Sequence, residues 1–263
     1  MTAGRMTTGV TVLAVAMLVM MNTGTASAQG MPLGLGLELK PWTDRGFVNV
    51  NGGVQTSDRR TITNGAQPIF DQFAEWNSPV EVRSSAIFDI SGGYRVWRNV
   101  AAAIGYSRYR DTSTAGLGAL IPDPLVFDDL HTESIAVSAL SHTEHAVHLS
   151  AVVVAPLTDK IHLSVFAGPS FTSVAKDVVS DVVLTTTTPN LQGAVTRRIS
   201  ETAADGHIGF DVRYRVYDRI GPVRHVGVGF FLRYSGGSVD APVAGGAINV
   251  GGLNYGAGVR LGF

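Results

Sequence analysis

Four side chains that could bind a metal ion lie close together in the stretch HTEHAVHLS, residues 142–150. His142, Glu144, His145 and His148 are all ligand types that Zn²⁺ accepts at short spacing. On a β-strand, however, successive side chains point to opposite faces, so His145 faces away from the other three. His142 and His148 would lie about 20 Å apart on an extended strand. We therefore predict no metal site here.

Charged residues form a second set that could have a chemical role. They occur in strand-like stretches, each on the side opposite to a run of apolar residues. The set comprises Arg83, Arg213, Arg215, Arg233 and Arg260 together with Glu81, Asp89 and Asp211. Such residues could line an ion pathway, or they could pair with one another inside a packed interior. Which of these two roles applies depends on the secondary structure in which the charged residues lie.

A two-residue period of apolar and polar side chains identifies those elements as β-strands. The clearest case sets Ile208, Phe210, Val212 and Tyr214 against small or charged residues between them. The same period recurs in eight segments, at residues 47–56, 81–94, 100–110, 145–155, 161–171, 207–217, 225–234 and 254–263. The sequence therefore predicts eight antiparallel strands.

The connections between these strands alternate in length. Short turns are predicted at residues 96–99, 156–160 and 218–224, where turn-forming residues occur. Long loops are predicted at residues 57–79, 111–141, 176–205 and 235–247. An up-and-down arrangement then places all short turns at one end and all long loops at the other.

Periodicity alone does not tell a soluble barrel from a membrane barrel whose apolar face is outside. Three observations favour the membrane barrel. Glycines are interspersed with arginines on the polar face, and strands of about ten residues at a 45° tilt cross about 25 Å. Aromatic residues also lie near strand ends, as two interfacial girdles require: Phe47, Tyr94, Trp97, Tyr106, Phe171, Tyr234 and Phe263. We expect an all-β, eight-stranded, antiparallel up-and-down transmembrane β-barrel.

The N-terminus indicates export. Arg5, an apolar run at residues 10–21 and the Ala26-Ser27-Ala28 pattern are typical of a signal peptide spanning residues 1–28. Residues 29–45 are then an N-terminal periplasmic segment, and residues 46–263 form the barrel. A formal net charge of -1 without a basic run argues against nucleic-acid binding, and cysteine is absent.

The C-terminal stretch YGAGVRLGF, ending at Phe263, resembles the assembly signal of small eight-stranded outer-membrane barrels. This family includes the transmembrane domain of outer membrane protein A, OmpX and OmpW, and the resemblance covers about residues 46–263. It implies a location in the cell outer membrane and contact with its lipid and lipopolysaccharide. It also implies a monomer whose terminal strand is read by the barrel assembly machinery.

The resemblance leaves two functions open, and a third is weaker. The first is a non-enzymatic barrel with a plugged lumen and a structural or surface-display role. The second is an enzyme that modifies lipid A acyl chains with a Ser, His and carboxylate set, for which His148 and Ser150 are the available residues. Both are predicted to face the lumen, away from lipid, so no catalytic residue and no cofactor site are predicted. The third is a soluble periplasmic ligand-binding barrel. Since an eight-stranded barrel is filled by its own side chains, we expect the interior charges to pair.

Overall fold

A computed structural model describes residues 32–33, 37–38, 40–57, 59–185, 190–241 and 246–263. The predicted signal peptide lies outside the described residues. The strands are β1 Pro32–Leu33, β2 Leu37–Glu38, β3 Gly46–Thr56, β4 Arg59–Ile69, β5 Gln72–Val82, β6 Ser85–Trp97, β7 Val100–Pro122, β8 Leu130–Pro156, β9 Ile161–Leu184, β10 Leu191–Ile220, β11 Val223–Ala241 and β12 Gly246–Gly262. Within the described part of the chain, no helix is long and apolar enough to cross a membrane.

Eight of these strands close into a ring. Neighbours pair antiparallel in the order β3-β6-β7-β8-β9-β10-β11-β12, and β12 pairs back onto β3. Val50 of β3, for example, lies opposite Ile90 on one side and Val259 on the other. Closure satisfies the backbone hydrogen bonds of every ring strand, as a bilayer requires. The predicted eight-stranded antiparallel barrel is confirmed.

The two faces of the ring follow the predicted inside-out arrangement. On β10, Val212 is 38% exposed on the outer surface, whereas the neighbouring Arg213 is 3% exposed in the interior. Large apolar side chains cover the outside of the other ring strands as well, including Ile104, Val165, Phe230 and Val259. An apolar outside around a charged inside is the architecture of the outer-membrane β-barrels.

Aromatic side chains mark both ends of this apolar belt. Tyr94, Trp97 and Phe263 are exposed at the end with the short turns, and Tyr106, Phe171 and Tyr234 are exposed toward the other. The prediction was wrong for Phe47. This side chain shares the inner face of β3 with Asn49 and Asn51 and is buried in the barrel.

The predicted long loops are mostly β-structure. Residues 57–79 contain β4 and most of β5, while β7, β8, β9, β10, β11 and β12 all continue beyond the belt into long hairpins. The β4–β5 hairpin joins the sheet beside β7, with Trp76 opposite Ala119. We call this extension, formed by β4, β5 and residues 111–122, 130–141, 175–184 and 191–203, the crown.

The crown folds because the polarity of its strands inverts. On β7 the same side of the strand points inward throughout, but beyond the belt the inward residues become apolar, with Leu117 and Ile121 fully buried. The outward residues Arg110, Thr112 and Thr114 are exposed. The inward residues join an apolar core made of Trp76, Leu117, Ala119, Ile121, Val179, Val182 and Leu191. The crown is therefore built like a water-soluble β-structure, continuous with the membrane barrel.

Two predicted inner-face charges lie outside the barrel interior. Glu81 is exposed on β5, and Arg83 is exposed between β5 and β6. The predicted strand 81–94 is in fact two strands, because β5 ends at Val82 and β6 begins at Ser85. The break separates Glu81 and Arg83 from the inner face of β6.

Candidate functional site in the barrel lumen

The end of the lumen with the short turns is closed by the chain that leads into β3. Trp42 is buried against Phe47 and the barrel wall, and its Nε1 donates a hydrogen bond to Asp44 Oδ2 at 2.9 Å. The other oxygen of Asp44 lies 3.3 Å from His225 Nδ1. Trp42 and Asp44 belong to residues 29–45, which were predicted as a periplasmic segment outside the barrel. We call Trp42, Asp44 and His225 the base layer.

Above the base layer lies a layer of paired charges, the charged layer. Arg260 Nη2 donates to Asp211 Oδ2 at 2.8 Å, Nε donates to Asn49 at 2.7 Å, and Nη1 donates to Ser164 at 3.0 Å. Arg213 Nε lies 3.6 Å from the other oxygen of Asp211. One carboxylate thus faces two guanidinium groups.

The same layer continues across the lumen to β6 and β11. Arg213 Nη2 donates to Asn51 Oδ1 at 2.7 Å, and Asn51 Nδ2 donates to Asp89 Oδ1 at 2.9 Å. Asp89 Oδ2 accepts from Arg233 Nη1 at 2.7 Å. The structure therefore brings together five of the eight charged residues that the sequence singled out. Arg215, the remaining inward arginine, lies nearer the short-turn end, 3.6 Å from Asp218.

A chain of histidines and serines, the histidine layer, adjoins the charged layer. Ser170 Oγ lies 2.7 Å from His148 Nδ1 and 2.8 Å from His207 Nδ1. The remaining ring nitrogens bond to Ser107 at 2.9 Å and to Ser150 at 2.8 Å. His148 and Ser150 thus share a layer but not a hydrogen bond. Each ring nitrogen is bonded to a serine, so no carboxylate orients either imidazole as nucleophilic catalysis usually requires.

The top layer closes the lumen beneath the crown and centres on Glu144. This buried carboxylate accepts hydrogen bonds from Arg59 at 2.7 Å and from Gln55 at 3.1 Å, and it lies 2.7 Å from His142 Nε2. The backbone amide of Gly251 adds a further bond at 3.1 Å. Because Arg59 begins β4, this ion pair ties the β4–β5 hairpin to the barrel.

The HTEHAVHLS stretch, at residues 142–150, divides between two faces of β8, as its strand geometry predicts. His142 and Glu144 meet in the top layer, His148 belongs to the histidine layer, and His145 faces outward with Nδ1 2.6 Å from Tyr106 Oη. Among the described residues, no group of three or more His, Asp or Glu side chains is placed to hold a metal ion.

Lys176 is an interior charge of β9 that falls within the predicted loop at residues 176–205. It lies beyond Phe171, where the apolar belt of β9 ends, and its side chain is 1% exposed. Its Nζ donates to Thr61 of β4 at 2.7 Å. Burial, together with the nearby charge of Arg59, lowers the pKa of Lys176 to about 8, although the charge of Glu144 acts in the opposite direction. Its inward direction could have been found by extending the alternation of β9 past residue 171.

Comparison with known proteins gives only distant similarities. No protein-family model matches the chain, and no curated protein does. Among solved structures, Neisserial surface protein A is 16% identical with a TM-score of 0.42, covering 83% of this chain and 97% of that one. OprG from Pseudomonas aeruginosa is 10% identical with a TM-score of 0.42, covering 84% and 97%. Ail, the attachment invasion locus protein of Yersinia pestis, is 10% identical with a TM-score of 0.35, covering 82% and 99%.

Proposed function

We propose that this protein is a non-conducting, non-enzymatic integral protein of the outer membrane that holds the crown at the cell surface. The observation that carries the proposal is the filled lumen. From the base layer around Trp42 to the top layer around Glu144, polar side chains bond to one another inside the barrel, several of them between strands that are not neighbours in the ring. The role of the barrel is then to anchor and support, rather than to conduct.

The filled lumen argues against ion flow. Passage would require breaking the Arg260–Asp211 and Arg233–Asp89 pairs, which are buried and hydrogen-bonded at 2.8 and 2.7 Å. Separating a buried ion pair costs about 3 to 5 kcal/mol, because each charge is left without compensation. The base and top layers would have to open as well. We expect no steady conductance from the folded protein in planar bilayers.

The alternative of a lipid A acyl-modifying enzyme has less support. Its best residues, His148 and Ser150, lie inside the wall, and His148 is 3% exposed. Acyl chains contact the outer surface, where large apolar side chains predominate. We therefore assign His148 and Ser150 to filling the lumen. We propose that the protein is a monomer and that its apolar belt contacts lipid and lipopolysaccharide.

The crown is suited to surface display because its shape does not depend on a partner. Its apolar core fixes the hairpins internally, and Leu117 and Ile121 within it are completely buried. At the β7–β8 tip, Leu125 is 92% exposed and Phe127 is 72% exposed. Large apolar side chains exposed together at one tip are a natural contact surface for another molecule.

The topology can be tested by labelling. In barrels of this class the short turns are periplasmic, so both chain ends should be periplasmic and the crown should be outside. Because the chain has no cysteine, Leu125→Cys introduces a single reactive thiol at the crown. We expect a membrane-impermeant maleimide to label Leu125→Cys in intact cells. Asp159→Cys, in the exposed β8–β9 turn, should react only after permeabilisation. The reverse pattern would show that the orientation is wrong.

We also propose that the terminal strand is the contact for the barrel assembly machinery, with Phe263 as its final element. Phe263 is 37% exposed at the end of β12, and its backbone bonds to Arg45 and Gly46 at 2.7 and 3.0 Å. Phe263→Ala keeps those backbone bonds and removes only the ring. We expect it to lower the yield of folded, heat-modifiable barrel without impairing export, while Phe263→Tyr retains the yield. Equal yields for all three proteins would contradict this role.

A further inference from the structure

The lumen contains a small cavity beside the charged layer. Its volume is about 40 Å³, and its lining includes Arg213 and Arg233 as well as Ala103, Gly105 and Ser150. In the ring, β7 lies opposite β11, so the small residues of β7 leave space facing the Arg233 side chain. A space for one water requires about 10 to 15 Å³ on this measure. The cavity is therefore large enough for a small ion with a few waters.

Hydrogen-bond donors at this cavity are left without protein partners. Arg213 Nε and Nη1 and Arg233 Nε and Nη2 are buried and make no hydrogen bond to any described residue. Both side chains are more than nine-tenths buried. A guanidinium group carries five N–H donors and no acceptor. Arg213 Nε faces the unbonded Asp211 Oδ1 at 3.6 Å, but Arg213 Nη1 and the Nε and Nη2 of Arg233 find no acceptor among the described residues. An acceptor from outside the protein can satisfy these three groups.

The charges lining the cavity do not balance. Arg213, Arg233 and Arg260 supply three positive charges, whereas Asp89 and Asp211 supply two negative charges. The next carboxylate, Asp205, is outside the lining and accepts from Thr172 at 2.9 Å. It interacts with Arg233 only at longer range, without an ion pair or hydrogen bond between them. Water can accept hydrogen bonds from the guanidinium groups, but water carries no charge and cannot neutralise the excess positive charge. An uncompensated charge in a buried site is strongly unfavourable.

We propose that the cavity binds one small inorganic anion of the size of chloride, held by the guanidinium groups of Arg213 and Arg233. The anion supplies acceptors for the unpartnered N–H groups and cancels the excess positive charge. Arg260 takes no direct part, because Asn49, Ser164 and Asp211 already bond its nitrogens. The site goes beyond the display function, and it makes the closed lumen an ion-stabilised plug.

The first experiment places the ion directly. The layers above and below the cavity are closed, so an ion must enter during folding. The wild-type protein is therefore refolded from urea in a bromide buffer and crystallised from the same buffer. We expect a single strong anomalous peak between Arg213 and Arg233. Electron density for water alone in this cavity, without anomalous signal, would overturn the proposal.

The second experiment compares the urea unfolding midpoint in chloride and in gluconate at equal ionic strength and pH. For wild type we expect a higher midpoint in chloride. Arg213→Gln should lose this shift, whereas Arg215→Gln, on the same strand and face but outside the cavity lining, should keep it. Asp89→Asn should enlarge the shift, because it raises the excess positive charge.

The opposite responses of Arg213→Gln and Asp89→Asn keep the test decisive even if one variant folds poorly. A midpoint that shifts equally in wild type, Arg215→Gln and the foldable cavity variants would indicate a general salt effect and overturn the site. A shift that shrinks in Asp89→Asn would do the same. Neither outcome bears on surface display, since a water-filled cavity would leave the lumen just as closed.

Discussion

Arginine in place of Val212 should lower the free energy of unfolding in lipid vesicles by about 2 to 4 kcal/mol. Val212 lies on the outer surface of β10, opposite Phe230 of β11 and Leu163 of β9. Its position in the middle of the belt would hold a guanidinium near the bilayer midplane, where the charge loses its hydration. The measurement is urea unfolding of the refolded protein in vesicles, and Val212→Leu is the matched control.

Arg213→Leu tests the opposite face of the same strand. Loss of the Arg213 guanidinium should lower the free energy of unfolding by less than Val212→Arg does. Asp211 keeps its 2.8 Å ion pair with Arg260, and Asn51 keeps its hydrogen bond to Asp89. Arg213 also supplies part of the excess charge. Should Val212→Arg prove neutral while the protein stays soluble without detergent, the outer face is not in lipid and the barrel is a soluble one.

The belt could be predicted from the sequence because each of its strands has a single, unbroken polarity pattern. A two-residue period with bulky apolar residues on one side fixes which side chains share a face, whatever the strand's partners are. Asp89, Asp211, Arg213, Arg233 and Arg260 lie inside, as their parity predicts. Glu81 and Arg83 do not, because the strand breaks between Val82 and Ser85. Phe47 is inside although it lies near a strand end, because its parity is that of Asn49 and Asn51.

The crown could not be recognised in the same way. At about residue 111 of β7 the apolar residues change from the outward to the inward side, so a search for one continuous apolar face ends there. The physical cause is the change of solvent from lipid to water around the same strand. If the inward side of β7 is followed past this residue, the same alternation continues to Leu117 and Ile121 and predicts the longer strand.

Pairing of the interior charges could be predicted from the sequence, but not which charges pair with one another. Arg260 reaches Asp211 and Arg233 reaches Asp89 because the tilt and stagger of the closed ring bring these levels together. The sequence gives the face of each side chain but not its height in the barrel. Arg59 and Lys176 were missed for a different reason, since both were assigned to loops.

Lys176→Met should stabilise the protein at pH 7 by about 2 to 3 kcal/mol, because each pKa unit corresponds to about 1.4 kcal/mol. Folding moves the pKa of Lys176 from its ordinary value of 10.5 to about 8, chiefly by burial. At pH 7 the folded protein therefore keeps a buried ammonium at a cost. Methionine has a similar length and carries no charge, and its main loss is the hydrogen bond to Thr61.

The pH dependence separates this cost from a change in packing. Between about pH 8 and 10.5 the folded state has released the proton of Lys176 while the unfolded state still holds it, so wild-type stability rises with pH through this window. The advantage of Lys176→Met should accordingly shrink from pH 7 to pH 10.5. Unfolding in urea at several pH values measures the difference. Lys160→Met, which removes an exposed ammonium in the β8–β9 turn, should run parallel to wild type. A Lys176→Met curve that also runs parallel would mean that folding leaves the proton affinity of this lysine unchanged.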